Sequence, residues 1–179
     1  MIAAPCSAPP ASAPAPAPTP ASGALVVVAL GSNLGDSRSL LESAIERLRQ
    51  SSGSPRANFR VSSFRTTAPI DCPPGSPPFL NAVVGFEAGP TDSPEALLTH
   101  LQELEREAGR RPKAVLNEPR PLDLDLIGFG HLTRATPELI LPHPRAHLRR
   151  FVLEPLAEIA PDLRLPGWPG TAAELLARL

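Results

Sequence analysis

The chain has 179 residues, 42% of them hydrophobic and 25 of them Pro, with a formal net charge of −1. That length supports one well-packed core, and the near-neutral charge argues against a general nucleic-acid binder. Its 2 cysteines, Cys6 and Cys72, give neither a disulfide framework nor a metal-ligand spacing, which fits a reducing cytoplasm.

Residues 3 to 21 are almost wholly Ala, Pro and Ser, and the first charged side chain is Asp36. Recurring Pro favours extended backbone without a core, so residues 1–23 are expected to form a disordered tail ahead of a single domain at 24–179. The tail lacks the basic start and unbroken apolar segment of a secretory signal. The longest apolar run, Ala24 to Leu30, falls far short of the roughly 20 residues that a membrane span needs. At that length it reads as a central strand covered on both faces. The loop Gly31-Ser32-Asn33-Leu34-Gly35 follows, matching neither a Walker loop nor a dinucleotide fingerprint. A helix is expected over 37–50 with Leu40, Leu41, Ala44, Ile45 and Leu48 inward, and Ser39-Leu40-Leu41-Glu42 has the form of a capping box.

Residues 57–64 read as a second strand, with Phe59 and Val61 on one face. The Pro-rich stretch from Thr66 to Pro78 is long for a loop in a compact domain, and loops of that length tend to be functional. Phe79 to Phe86 reads as a strand opening with Asn81, whose amide can serve a heterocycle or cap a turn. Ser93-Pro94-Glu95 starts a second helix and Gly109 stops it. Leu97, Leu98, Leu101, Leu104 and Ala108 form its core face, with Gln102 and Glu105 beside it. Two basic clusters follow, one with Arg106, Arg110, Arg111, Lys113 and Arg120, the other with Arg145, Arg149 and Arg150. Each reads as a polyanion site or as a solvated surface.

Between them lies Arg120-Pro121-Leu122-Asp123-Leu124-Asp125-Leu126-Ile127-Gly128-Phe129. At the strand period of two, Leu122, Leu124 and Leu126 share one face and Asp123 and Asp125 the other. The carboxylates then stand about 7 Å apart, a spacing that suits a hard divalent cation shared with substrate phosphates. An amphipathic strand with its Asp face in water would look the same. His143 and His147 lack the Glu of a zinc helix. Helices are expected over 149–160, around Pro155, and over 171–178, after Trp168. The order strand, helix, strand, strand, helix, strand predicts an α+β, ferredoxin-like βαββαβ core with C-terminal additions.

The chain resembles the 6-hydroxymethyl-7,8-dihydropterin pyrophosphokinases from about Ala24 to Leu163. The likeness rests on Ala29-Leu30-Gly31-Ser32-Asn33-Leu34, on Val61-Ser62-Ser63-Phe64 with Thr67, and on Phe79-Leu80-Asn81-Ala82. Above all it rests on Pro119-Arg120-Pro121-Leu122-Asp123-Leu124-Asp125-Leu126, and it is completed by Pro142-His143, Phe151 and Glu158-Ile159-Ala160-Pro161. Pro112, Asn117, Glu118 and Pro144 depart from the family's usual pattern. The resemblance implies transfer of the β,γ-diphosphate of ATP to the hydroxymethyl oxygen of a reduced pterin, releasing AMP. It implies two Mg²⁺ ions on Asp123 and Asp125, with Arg110 and Arg120 as catalytic arginines. Phe79 and Phe151 would enclose the pterin ring, Asn81 would bond its polar edge, and the backbone from Thr67 to Ile70 would assist. Gln102, Glu105, Lys113, Leu126, His143 and Arg149 would meet the nucleotide. A cytoplasmic monomer without nucleic-acid or membrane partners is expected. A non-catalytic ferredoxin-like binding module is the alternative, and a generic nucleotide kinase lacks its Walker lysine.

Overall fold

The strand at the centre of the sheet is Leu25–Ser32 (β1), where three consecutive valines favour a pleated, doubly covered backbone. In the computed structural model, which describes residues 23–51, 56–110 and 118–179, it pairs antiparallel on both sides. The tail up to residue 22, with Cys6, lies outside the described residues, as do Arg111, Pro112, Lys113 and Asn117. After β1 come the helix Ser37–Gln50 (α1) and the strands Arg60–Val61 (β2), Arg65–Thr67 (β3) and Phe79–Glu87 (β4). The helix Pro94–Glu107 (α2) and the strand Asp123–Phe129 (β5) follow. The sheet order is β2-β4-β1-β5, with β3 also on β4, so the chain is mixed α and β around an antiparallel sheet. Arg134–Ala135 (β6) and Ile140–Leu141 (β7) form a small hairpin, and Arg150–Ile159 (α3) and Ala172–Leu176 (α4) end the chain.

Each face of the sheet meets a pair of helices. Val26, Val28 and Leu30 of β1, Val84 and Phe86 of β4, and Leu124 and Leu126 of β5 pack against α1 and α2. Val27, Val83 and Ile127 point the other way, against α3, α4, Leu165 and Trp168. Full burial of such side chains stabilises the fold by about 1.5–3 kcal/mol each. Among the described residues no helix is long and apolar enough to cross a membrane.

Several local expectations are corrected. α1 has its expected bounds, but its cap is Asp36, which accepts the Ser39 N–H at 3.1 Å and the Ser39 hydroxyl at 2.8 Å. Ser39 therefore lies inside the helix and no capping box forms with Glu42. The expected strand over 57–64 is broken: pairing stops at Val61 and resumes at Arg65, so the strand enters what reads as loop. Phe59 sits just outside β2 and stacks on Phe86 at 5.6 Å. The final helix is shorter than 171–178, with its capping box at Thr171 and Glu174. The second helix holds as expected, with the Ser93 hydroxyl as N-cap acceptor and Gly109 at φ +91° after the last turn.

Candidate active site

On the α3 side of the sheet, β1 contributes the small Gly31 and Ala29 beside Asn81 of β4 and Asp123 and Asp125 of β5. Asn81, Gly31 and Asp123 stand side by side across three strands, and Val83, Ala29 and Asp125 form the next row. A Cβ at Gly31 would lie 3.2 Å from the Asn81 Oδ1 and 3.7 Å from the Phe79 ring. The missing side chain leaves a floor, and above it opens a cavity of about 470 Å³. Thr67, Ile70, Phe79, Asn81, Arg120, Asp123, Asp125, Arg149 and Phe151 all line it. Arg145, Arg150, Cys72, Leu148 and Leu179 line it too, and of these only the two arginines carried any sequence signal, through their basic cluster.

The Asp123 carboxylate is the centre of a cationic cluster. Arg110 Nη1 lies 2.8 Å and Arg120 Nη1 3.5 Å from Asp123 Oδ1. Arg110 also pairs closely with Glu105. The turn at Gly109 brings this about, because it lets the Arg110 N–H donate to the Glu105 carbonyl and folds the arginine back along α2. Glu105 is buried and accepts the Leu124 N–H at 2.7 Å. Among the described residues β5 is at the edge of the sheet, so this carboxylate satisfies a main-chain donor that no described strand covers and fixes the segment between the two aspartates. Burial pushes the Glu105 carboxyl above its ordinary range, against the opposing Leu124 N–H and Arg110.

Arg120 is held by its backbone. Its N–H donates to Asn33 Oδ1 at 2.8 Å, its carbonyl accepts the Asn33 N–H at 3.2 Å, and Asn33 Nδ2 donates to the Pro77 carbonyl. The guanidinium lies over the Phe79 ring at 5.8 Å, and its Nε is buried with no partner among the described residues. Arg149 stands over the Phe151 ring at 5.4 Å and has no carboxylate partner among the described residues. Burial, then the neighbouring Arg145, lowers its affinity for its proton. Unpaired guanidinium donors of this kind select anions, above all phosphates.

No hydrogen bond or ion pair reaches the Asp125 carboxylate among the described residues. Burial and then the Asp123 charge raise its pKa above 3.8. His143 lies close enough for the two to interact, but burial depresses the imidazole below 6.5 despite that carboxylate. The His143 N–H donates to the Ile127 carbonyl at 2.9 Å, which ties the segment after β7 to the edge of β5. Asn81 Nδ2 donates to the Thr67 hydroxyl at 2.8 Å, and Asn81 lines the cavity. Gln102 is exposed on α2, the Leu126 side chain is buried in the α1–α2 core, and Lys113 lies outside the described residues.

Residues 27–161 match the sequence profile of 7,8-dihydro-6-hydroxymethylpterin-pyrophosphokinase. The chain is 38% identical over 142 residues to the 2-amino-4-hydroxy-6-hydroxymethyldihydropteridine pyrophosphokinase of Pseudomonas aeruginosa, covering 79% of this chain and 83% of the relative. The enzyme of the same name from Porphyromonas gingivalis is 39% identical over 145 residues, covering 78% and 93%. That of Bacillus subtilis is 38% identical over 135 residues, covering 75% and 77%.

Proposed function

The chain belongs to the 7,8-dihydro-6-hydroxymethylpterin-pyrophosphokinase family, and on that premise we propose that the cavity beside Asp123 and Asp125 is where it performs pyrophosphoryl transfer. The activity is transfer of the pyrophosphoryl group of ATP to hydroxymethyldihydropterin in folate synthesis. The observation that carries the site assignment is the row Asn81, Gly31, Asp123. One cavity floor has a hydrogen-bonding amide at one end and a carboxylate among arginines at the other.

The pterin lies between Phe79 and Phe151, with its polar edge toward Asn81, Thr67 and the main chain up to Ile70. Its hydroxymethyl group then points along the floor toward the aspartates. Arg110 and Arg120 stabilise the charge that builds on the transferred phosphates, and Arg149 with His143 holds the nucleotide side. As the hydroxymethyl oxygen bonds to the β-phosphorus, the bond from that phosphorus to the α,β-bridging oxygen breaks, AMP leaves with that oxygen, and the hydroxyl proton is released to solvent. Glu105 acts on this chemistry by keeping Arg110 and the Leu124 backbone in place. Any contact of Leu126 with the nucleotide is made by its main chain, since its side chain is in the core.

The donor set fits Mg²⁺. Asp123 and Asp125 share one strand face, and Asp125 is a desolvated carboxylate without a hydrogen-bonding partner among the described residues. Among the described residues no three His, Cys, Asp or Glu side chains converge into an all-protein cage. Two carboxylates completed by phosphate oxygens suit Mg²⁺ better than such a cage does. Two Mg²⁺ ions on Asp123 and Asp125 would supply charge neutralisation for the triphosphate and a lower pKa for the attacking hydroxyl.

The same reading takes residues 24–179 as one catalytic unit behind the tail of residues 1–23. Its order βαββαβ is ferredoxin-like, and it works as a cytoplasmic monomer with ATP and the reduced pterin as small-molecule partners. The test is product analysis with ATP, Mg²⁺ and 6-hydroxymethyl-7,8-dihydropterin. AMP formed in step with the pterin diphosphate is expected. ADP would mean a simple kinase, and neither product would mean a binding module.

A further inference from the structure

Two of the sequence blocks behind the family resemblance, Val61-Ser62-Ser63-Phe64 and Glu158-Ile159-Ala160-Pro161, line no part of the cavity. They meet each other instead. Val61 lies opposite Val84 and Arg65 opposite Asn81, so four steps along one strand match three along its partner. That is a one-residue bulge, and a one-residue shift sends every following side chain to the other face. Val61 packs on the α1–α2 core, whereas Thr67 emerges on the cavity side opposite Phe79 and bonds to Asn81. Without the bulge Thr67 would face away from the cavity.

The bulge is fixed from both sides. Inside, the Ser62 N–H donates to the Val83 carbonyl at 3.0 Å and the Ser62 hydroxyl accepts the Val83 N–H at 2.9 Å, closing the ladder with a side chain. Outside, the Ser63 N–H at 2.9 Å and its hydroxyl at 2.7 Å both donate to Glu158 Oε1, and Arg65 Nη2 donates to Glu158 Oε2 at 3.3 Å. Arg60 adds a bond to the Ile159 carbonyl at 3.1 Å. An isolated surface ion pair between Arg65 and Glu158 would contribute little. Two donors from Ser63, one of them main chain, make Glu158 a template for the bulge rather than a counter-ion.

We propose that Glu158 is a positioning residue for the pterin site: it pins the bulge at Ser63 and so holds Thr67 against Asn81 at a fixed offset from Phe151. Phe151 and Glu158 lie on the same helix, two turns apart, so one rigid element references both walls of the slot. The inference rests on the assignment of this cavity to the pterin.

Steady-state kinetics of the full chain and its Glu158→Ala and Glu158→Gln variants test it. Glu158→Ala is expected to raise KM for the dihydropterin about 10-fold while KM for ATP and kcat change less than about 2-fold, the range seen when supporting hydrogen bonds are lost. Glu158→Gln should return KM to within about 3-fold of the parent, because an amide oxygen still accepts from Ser63. Should Glu158→Ala fail to fold, Ser63→Ala removes one of the two donors and is expected to raise the same KM about 3-fold. An unchanged dihydropterin KM, parallel rises for both substrates, or a Gln variant no better than Ala would overturn the proposal. Phe151→Ala separates this from the site assignment. A raised dihydropterin KM there with parental kinetics in Glu158→Ala removes only the positioning role, and no change there removes the pterin assignment itself.

Discussion

Asp125 and Leu126 are neighbours in sequence and belong to different worlds in the fold. Leu126 is 4% exposed on a face where Val26, Val28 and Leu30 of β1, Val84 and Phe86 of β4 and Leu124 of β5 pack with it against two helices. Asp125 is on the opposite face, which is apolar only toward Val27, Val83 and Ile127 and turns polar at Asn81, Asp123 and Asp125. One face is devoted wholly to stability. The other divides its length, with α3 and α4 sealing one end and a cavity left at the other. The lesson is that the site costs the protein half of one core layer, so changes on the two faces should be separable.

The sharpest break is Asp125→Asn. The amide is nearly isosteric, so folding should survive, while turnover should fall by about 10²–10⁴-fold if the carboxylate is a metal ligand. Turnover and thermal melts measured together check this. The metal-free melts carry a second signature. Because the folded pKa of Asp125 is raised above 3.8, its contribution is fully present at lower pH and is lost as pH rises through the folded value. Metal-free parent protein should therefore lose stability over that rise, and Asp125→Asn should lose less of it.

Leu126→Ala, one residue on, should reverse the pattern. It leaves a hole between β5 and the helices and should destabilise by about 2–5 kcal/mol in denaturant unfolding. Both KM values of the folded fraction should stay close to the parent's. Gly31→Ala is the smallest of the three. Its methyl meets the Asn81 oxygen at 3.2 Å and intrudes on the floor, which should weaken dihydropterin binding by about 3- to 10-fold, or about 1 kcal/mol. ATP affinity measured calorimetrically should be nearly unchanged, and equal losses would mean that the floor serves both substrates.

The alternation in Leu122-Asp123-Leu124-Asp125-Leu126 was readable from sequence because side-chain direction in a strand follows from local geometry alone. The same holds for α2, whose Ser93 and Gly109 signals act within a single turn. The bulge at Ser62 and Ser63 was not readable, since it depends on a hydroxyl entering the ladder of β4 and on a carboxylate 95 residues away in sequence. A second register shift lies beside Val27 and Val28, where β1 pairs with β5. At α1 the Ser39-Leu40-Leu41-Glu42 pattern pointed to a capping box, and the cap is Asp36 instead. Asp36 takes that role because its carboxylate accepts both donors of Ser39. In the site, the acidic strand and its arginines stood out as charge patterns. Asn33 did not, because its role is to join loops that only the fold brings together.

The placement of β1 between β4 and β5 sets a ruler. Asn81 and Asp123 flank Gly31 on adjacent strands, so they are separated by two inter-strand steps, about 9.5 Å. That interval is fixed by main-chain hydrogen bonding and is immune to any exchange of side chains in the floor. In the proposed assignment it measures the substrate, from the edge that Asn81 recognises to the oxygen that must reach the phosphate. A heterocycle whose alcohol hangs from a shorter or longer frame would dock correctly at one end and miss at the other, so selectivity for the acceptor resides partly in the mesh of the sheet.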